Sequence, residues 1–131
     1  MGEALKSEQN RKVVLDFYQK CLIEKQPRYA FEQFVSSDFV EHKSDVPDWR
    51  QDAVIQYLEG LISELPFALW EVVRCVAEDD FVVIHAKFTP SPGEAEYVIA
   101  DFFRLVNSQI VEHWDVIGHP PRSQNNPQPR I

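Results

Sequence analysis

Cysteine is nearly missing from this chain of 131 residues, with Cys21 and Cys75 the only two. Two thiols make no disulfide framework, and neither has a second Cys at metal-binding spacing. They read as buried apolar thiols of a reducing, cytoplasmic compartment. Glycine is thin as well, at four residues. No Gly-rich phosphate loop is present, which sets nucleotide cradles aside. Bases are outnumbered, with 13 Lys+Arg against 21 Asp+Glu and a formal net charge of −8. Phosphate backbones and anionic membrane surfaces call for clustered basic side chains, so neither nucleic acid nor membrane is expected as a partner. No apolar run approaches the length of a membrane span. The opening MGEALKSEQNRK lacks the apolar stretch of a secretory signal, and Ser7 falls one position late for myristoylation. There is no HExxH and no His pair at i, i+4, so no metal is expected. No Ser or Cys sits in a nucleophile elbow.

What is present is apolar and aromatic. Hydrophobic residues make up 44% and aromatics 12%, which excludes disorder for the bulk of the chain. The length suits one domain that buries roughly two-thirds of its unfolded surface. Residues 7–24 read as a helix, because Val13, Phe17 and Cys21, and likewise Val14, Tyr18 and Leu22, recur at four-residue steps. Pro27 suits the first turn of a second helix with Phe31, Phe34 and Val35 on its face, and Ser36-Ser37-Asp38 is expected to break it. A short extended piece, Phe39 to His42, leads into a polar loop. Asp48 with Gln51 resembles a capping box and opens a third helix, whose buried side is Val54, Leu58, Leu61, Ile62 and Leu65 and which Pro66 ends.

From residue 67 the hydrophobic period changes to two. Segments 67–78, 81–90, 95–106 and 109–117 read as strands, with turns at Glu78-Asp79-Asp80, Ser91-Pro92-Gly93 and Asn107-Ser108. Strands this close in sequence are antiparallel neighbours. The expectation is α+β, with three N-terminal helices on one face of an antiparallel sheet, in a single domain over 1–118. Residues 119–131 hold four prolines and no apolar pattern, and read as a flexible tail or an arm across a neighbour.

The last two strands carry the chemistry. A two-residue turn at Asn107-Ser108 would set Asp101 opposite Trp114. A three-residue loop with a bulge shifts the parity and places Asp101 on the face of His113 and Asp115. The second reading is preferred, because it leaves Arg104 and Glu112 as a cross-strand ion pair on the other face. Two acids and an imidazole among Phe and Ile side chains are costly unless paired or put to use. Burial and a neighbouring carboxylate raise a carboxyl pKa, which is how a general acid or base is tuned toward neutral pH. The same site can equally be a self-satisfied polar network that fixes strand register. His85, in FVVIHAKF, and His42 read by themselves as hydrogen-bonded structural residues.

The stretch DFFRLVNSQIVEHWDVI (101–117) resembles the C-terminal hairpin of the SnoaL-like polyketide cyclases, within the nuclear transport factor 2-like superfamily. FVEHKSDVPDWRQDAV (39–54) and VVIHAKF (82–88) are similar to two further segments of that family. The resemblance covers roughly residues 8–118. It implies a cone-shaped fold, in which a strongly curved sheet wraps round helices and encloses an apolar pocket. It implies cofactor-free acid–base chemistry that closes a ring by intramolecular aldol condensation, and dimers built through the outer sheet face. Asp115 falls at the family's acid/base aspartate, and Asp101, His113, His42 and His85 fall at pocket-lining positions. Lys43-Ser44 replaces the common Asn-Pro, Trp49 the common Gly, and Ser108 the usual turn Gly.

The resulting expectation is an enzyme acting on a small, apolar carbonyl compound. Asp115 removes a proton beside the carbonyl, and Asp101 or His113 holds or protonates the enolate oxygen. His42, His85, Phe103 and Trp49 contact the substrate. Isomerisation, dehydration or epoxide opening would use the same side chains, and a non-catalytic ligand-binding module would use the same pocket. The outer face, read as Val98, Ala100, Phe102, Ile110, Trp114 and Val116, is too apolar to meet water, so a homodimer through it is expected.

Overall fold

The computed structural model describes residues 2–131; Met1, where the expected domain begins, lies outside them. Helix α1 spans Gly2–Tyr18 and runs on as a wider π-helical segment, Gln19–Ile23. It starts five residues before the expected Ser7. Asn10, Val14, Phe17, Tyr18 and Cys21 turn inward at the expected helical spacing. Helix α2, Pro27–Phe34, has Pro27 in its first turn, and strand β1 follows at once as Val35–Glu41. The helix ends just before Ser36-Ser37-Asp38, as expected, and these three residues then lie inside the strand. The pairing of β1 is irregular between Val35 and Val40, and these three polar residues sit on that bulged stretch at the sheet edge.

Helix α3 spans Gln51–Glu64. The expected capping box does not form. Asp48 folds back on Arg50, accepting from its backbone N–H at 2.8 Å and from its guanidinium, while the Gln51 amide donates to the Ser36 carbonyl at 3.1 Å. Four strands complete the chain: β2 (Leu69–Glu78), β3 (Phe81–Thr89), β4 (Tyr97–Val106) and β5 (Gln109–Gly118). The sheet order is β1-β5-β4-β3-β2. Strands β2 to β5 form the expected antiparallel meander, but β1 pairs with β5 in parallel, so the sheet is mixed. Proximity in sequence decides hairpins only, and α3 and three strands separate β1 from β5 along the chain.

The curved sheet wraps the helices as the cone-shaped α+β fold requires. Phe17 packs edge-on against Phe31 and Phe103, with ring centroids 5.4 and 5.9 Å apart, and Phe31 does the same to Phe39 at 5.7 Å. From β3 the inward residues are Val82, Ile84 and Ala86, all without exposure. No helix among the described residues is long and apolar enough to cross a membrane.

The β4–β5 hairpin reaches the preferred parity by a different device. Its turn is two residues long, with Val106 opposite Gln109 and positive φ at Asn107 (51°) and Ser108 (62°). Leu105 pairs with Ile110 but Arg104 pairs with Glu112, so Val111 is the extra residue of a bulge. That one residue sets Asp101 opposite Asp115 and Phe103 opposite His113. Ile110, set opposite the inward Leu105 by the two-residue turn, is fully buried, so it belongs to the core and not to the outer face. Arg104 and Glu112 pair on the outer face as expected, Nε to Oε1 at 2.5 Å. Ser108 holds a left-handed backbone that disfavours a Cβ. Ser108→Gly is expected to raise stability by about 0.5–1 kcal/mol, read as a higher urea midpoint at unchanged slope.

Beyond β5, residues 119–131 form no regular element. Arg130 returns to the sheet, donating to the carbonyls of His119 (3.0 Å) and Glu96.

Candidate functional site

Between α1, α2, α3 and the concave face of the sheet lies a cavity of about 290 Å³. Phe17, Phe31, Phe39, Leu58, Leu61, Trp70, Phe88 and Phe103 supply apolar and aromatic wall. Set into that wall are Tyr18, Glu41, Lys43, Asp101, His113 and Asp115. A greasy chamber with a few convergent polar groups is the usual form of a small-molecule site, and this volume is at the small end of the range.

The polar groups fall into two connected sets. In the first, His113 is held between two acids. Its Nε2 lies 2.7 Å from Asp101 Oδ1 and its Nδ1 lies 2.6 Å from Glu41 Oε2. The Tyr18 hydroxyl donates to Asp101 Oδ2 at 3.2 Å. Both acids are buried, at 7% exposure each. Burial alone would depress the imidazole pKa, but hydrogen bonds to Asp101 and Glu41 outweigh it and push His113 up to about 10. His113 is thus an imidazolium at neutral pH, with both N–H groups spent on carboxylates. Burial first, and then the Asp101 charge, hold the Tyr18 phenol well above its ordinary range, so it is a neutral donor.

In the second set, Lys43 Nζ donates to Asp115 Oδ2 at 2.9 Å, with both side chains largely shielded from water. Burial works against the ammonium, yet the Asp115 carboxylate more than compensates and Lys43 sits above its ordinary pKa. Oδ1 of Asp115 takes no hydrogen bond among the described residues. Glu41 joins the sets. Its Oε2 also accepts from the backbone N–H groups of His42 and Lys43, each at 3.0 Å, and so shapes the turn that delivers Lys43 to Asp115.

Asp101, His113 and Asp115 therefore meet on one inward face, and Phe103 lines the cavity beside the His113 ring at 5.0 Å. The two acids do not confront one another without counter-charge. The cations His113 and Lys43 stand among the carboxylates Glu41, Asp101 and Asp115. Three of the expected substrate contacts are elsewhere. His42 lies on the outer face, stacked on Trp114 (4.7 Å, 3° between planes) with Nε2 2.9 Å from Glu112. His85 is also outside, since its strand neighbours Ile84 and Ala86 take the inward positions; its Nδ1 accepts from Arg74 at 2.5 Å. Trp49 is 58% exposed beneath the Arg50 guanidinium and touches the site only through its carbonyl, which accepts from Glu41 N–H.

Tyr18, Glu41 and Lys43 were not read as site residues from the sequence. Tyr18 carried a usable signal, because a buried Tyr in place of Phe needs a hydrogen-bond partner. Glu41 and Lys43 depend on the parallel pairing of β1, which no local pattern announces. Among the described residues no three His, Cys, Asp or Glu side chains are disposed to hold a metal ion.

Pairing of the buried His113 imidazolium makes stability depend on pH. Its folded pKa of about 10 lies above the ordinary 6.5. The contribution is therefore complete below about pH 6.5 and is lost as pH rises through 10, on the order of a few kcal/mol. Thermal melts across this window are expected to fall with pH, and His113→Gln should flatten that slope.

A family model described as a SnoaL-like domain matches residues 14–113, which takes in Asp101 and His113 and stops two residues before Asp115. No curated protein matches the chain. Among solved structures, a SnoaL-like polyketide cyclase, so named provisionally, from Jannaschia sp. CCS1 superposes with a TM-score of 0.72 at 18% identity, covering 85% of this chain and 86% of that one. AclR of Streptomyces galilaeus, provisionally named a hydroxylase, gives 0.71 at 20% identity over 86% and 90%. A protein of Kribbella flavida provisionally named a ketosteroid isomerase gives 0.68 at 14% identity over 95% and 91%. At these identities the likeness shows the shared cone fold, on which different chemistries are mounted. The chain belongs to the SnoaL-like domain family.

Proposed function

We propose that this protein is a cofactor-independent acid–base enzyme acting on a small apolar carbonyl compound, of the polyketide cyclase or intramolecular aldol type. The observation that carries the reading is the Lys43–Asp115 pair, 2.9 Å apart on the wall of an apolar cavity. Asp115 Oδ1 takes a proton from the carbon beside the carbonyl. The carbonyl oxygen rests against the Lys43 ammonium, which meets the negative charge as the enolate forms. The enolate carbon then attacks a second carbonyl of the same molecule. A carbon–carbon bond closes the ring, and the proton held by Asp115 passes to the new alkoxide. Asp101 and His113 act as positioning residues in this scheme, since each is already saturated by its neighbours.

The first step can be tested without the natural substrate. The protein is expected to speed exchange of the methyl protons of 2-acetylnaphthalene in D2O, followed by proton NMR. A ketone that binds without exchange above the buffer rate would leave a ligand-binding module and overturn the enzyme. The proposal includes a homodimer through the outer face, where Val116 (65% exposed) and Val76 stand open and Phe81 packs against Trp114. Sedimentation at micromolar concentration is expected to show a dimer that Val116→Asp weakens, and a monomer alone would count against it.

A further inference from the structure

The inward ladder of β4 and β5 does not end at the acids. Its rungs are Phe103 with His113, Asp101 with Asp115, and Ile99 with Ile117. One step further, past Gly118, His119 keeps the inward parity and meets Tyr97 edge-on, with ring centroids 5.2 Å apart. Both residues line the cavity. Four residues of extended chain put His119 about 13 Å from Asp115. The cavity thus has two polar ends, with Ile99 and Ile117 between them.

The far end is held in place. Arg130 donates to the carbonyl of His119 at 3.0 Å and to that of Glu96, which precedes Tyr97. One guanidinium thereby clamps the two backbones that carry the His119–Tyr97 pair. A tail that merely trailed from the last strand would leave His119 free to swing away from the rim.

We infer that His119, positioned by Arg130, is a second polar contact for the ligand. The cavity then selects elongated molecules that carry a hydrogen-bonding group at the end opposite the carbonyl. The inference rests on the reading of the cavity as a carbonyl-compound site. A flat two-ring skeleton with an oxygen at each end, plus a hydrogen bond at each oxygen, spans such a gap. His119 can donate or accept there, as its tautomer allows.

The test compares 2-acetylnaphthalene with 6-hydroxy-2-acetylnaphthalene by fluorescence titration. The full chain is expected to bind the hydroxylated ketone about fivefold more tightly, the value of one hydrogen bond. His119→Ala should bring the two within about twofold by weakening only the hydroxylated compound. Arg130→Ala should do the same with the melting temperature little changed, and Arg130→Lys should restore part of the preference. Equal affinities in the unaltered protein, or a preference that survives His119→Ala, would overturn the inference while leaving the carbonyl site standing. A preference that survives Arg130→Ala would remove Arg130 from it. Binding of neither ketone would overturn the ligand site itself, and this inference with it.

Discussion

Asp115→Asn is expected to slow proton exchange of the bound ketone by about 10²- to 10⁴-fold, the usual worth of a positioned general base. The substitution keeps shape and volume and removes the basic oxygen. Ketone affinity should change little, because the apolar wall supplies the binding and Asp115 forms one small part of it. The loss would therefore appear in the rate at saturation and not in the concentration for half-saturation. Lys43→Met gives a complementary result. It leaves the base in place and removes the ammonium that meets the enolate charge, a loss of about 10²- to 10³-fold if Lys43 serves as the oxyanion partner. It also strands Asp115 beside an apolar methyl, so a lower melting temperature should accompany the slower rate. Unaltered exchange in Asp115→Asn would move the base elsewhere, and Asp101 is the carboxylate that stands opposite Asp115 on the inward face. Asp101, however, already accepts from Tyr18 and His113. That saturation is the physical reason for placing the base at Asp115.

The hairpin that carries this chemistry was largely legible in the residues. Arg104 and Glu112 are the only charged pair that can face one another on the outer side, and they fix which parity satisfies both faces. The bulge residue was not legible, since either a longer turn or an inserted residue within the strand shifts parity by one. Ile110 was misplaced for the same reason: two successive residues beside a bulge, Ile110 and Val111, are both buried. His42 and His85 illustrate a different limit. Each follows or interrupts an apolar run, and a run of apolar residues does not declare which face is inward. The core around Val82, Ile84 and Ala86 decides it for His85, and the contact with Trp114 decides it for His42. Lys43 was visible as a departure from the family pattern, but its meaning came only from the strand pairing that brings it to Asp115.

Glu41 ties these elements together, and its removal is expected to be the most damaging single change for stability. It ends β1, the one parallel strand, and its carboxylate is nearly inaccessible, with 3% side-chain exposure. One oxygen serves His113 Nδ1 and the backbone N–H groups of His42 and Lys43. Glu41→Ala leaves the His113 imidazolium paired on one side only and takes the carboxylate acceptor from the Lys43 amide, while the His42 amide keeps the His113 carbonyl at 3.0 Å. Breaking a buried pair in this way costs about 3–5 kcal/mol, and for a domain of this size that is a melting temperature lower by on the order of 10 °C. Glu41→Gln keeps an acceptor and loses the charge, so its cost should be about half as large. Calorimetry on both variants with His113→Gln as the third corner separates pairing from packing. If Glu41 acts through the imidazolium, the double variant should cost clearly less than the two single costs together. Strict additivity would mean that Glu41 merely fills space. Because the same carboxylate sets the turn before Lys43, Glu41→Gln should also slow ketone exchange at unchanged Asp115, which a residue with a purely structural role in the core would not do.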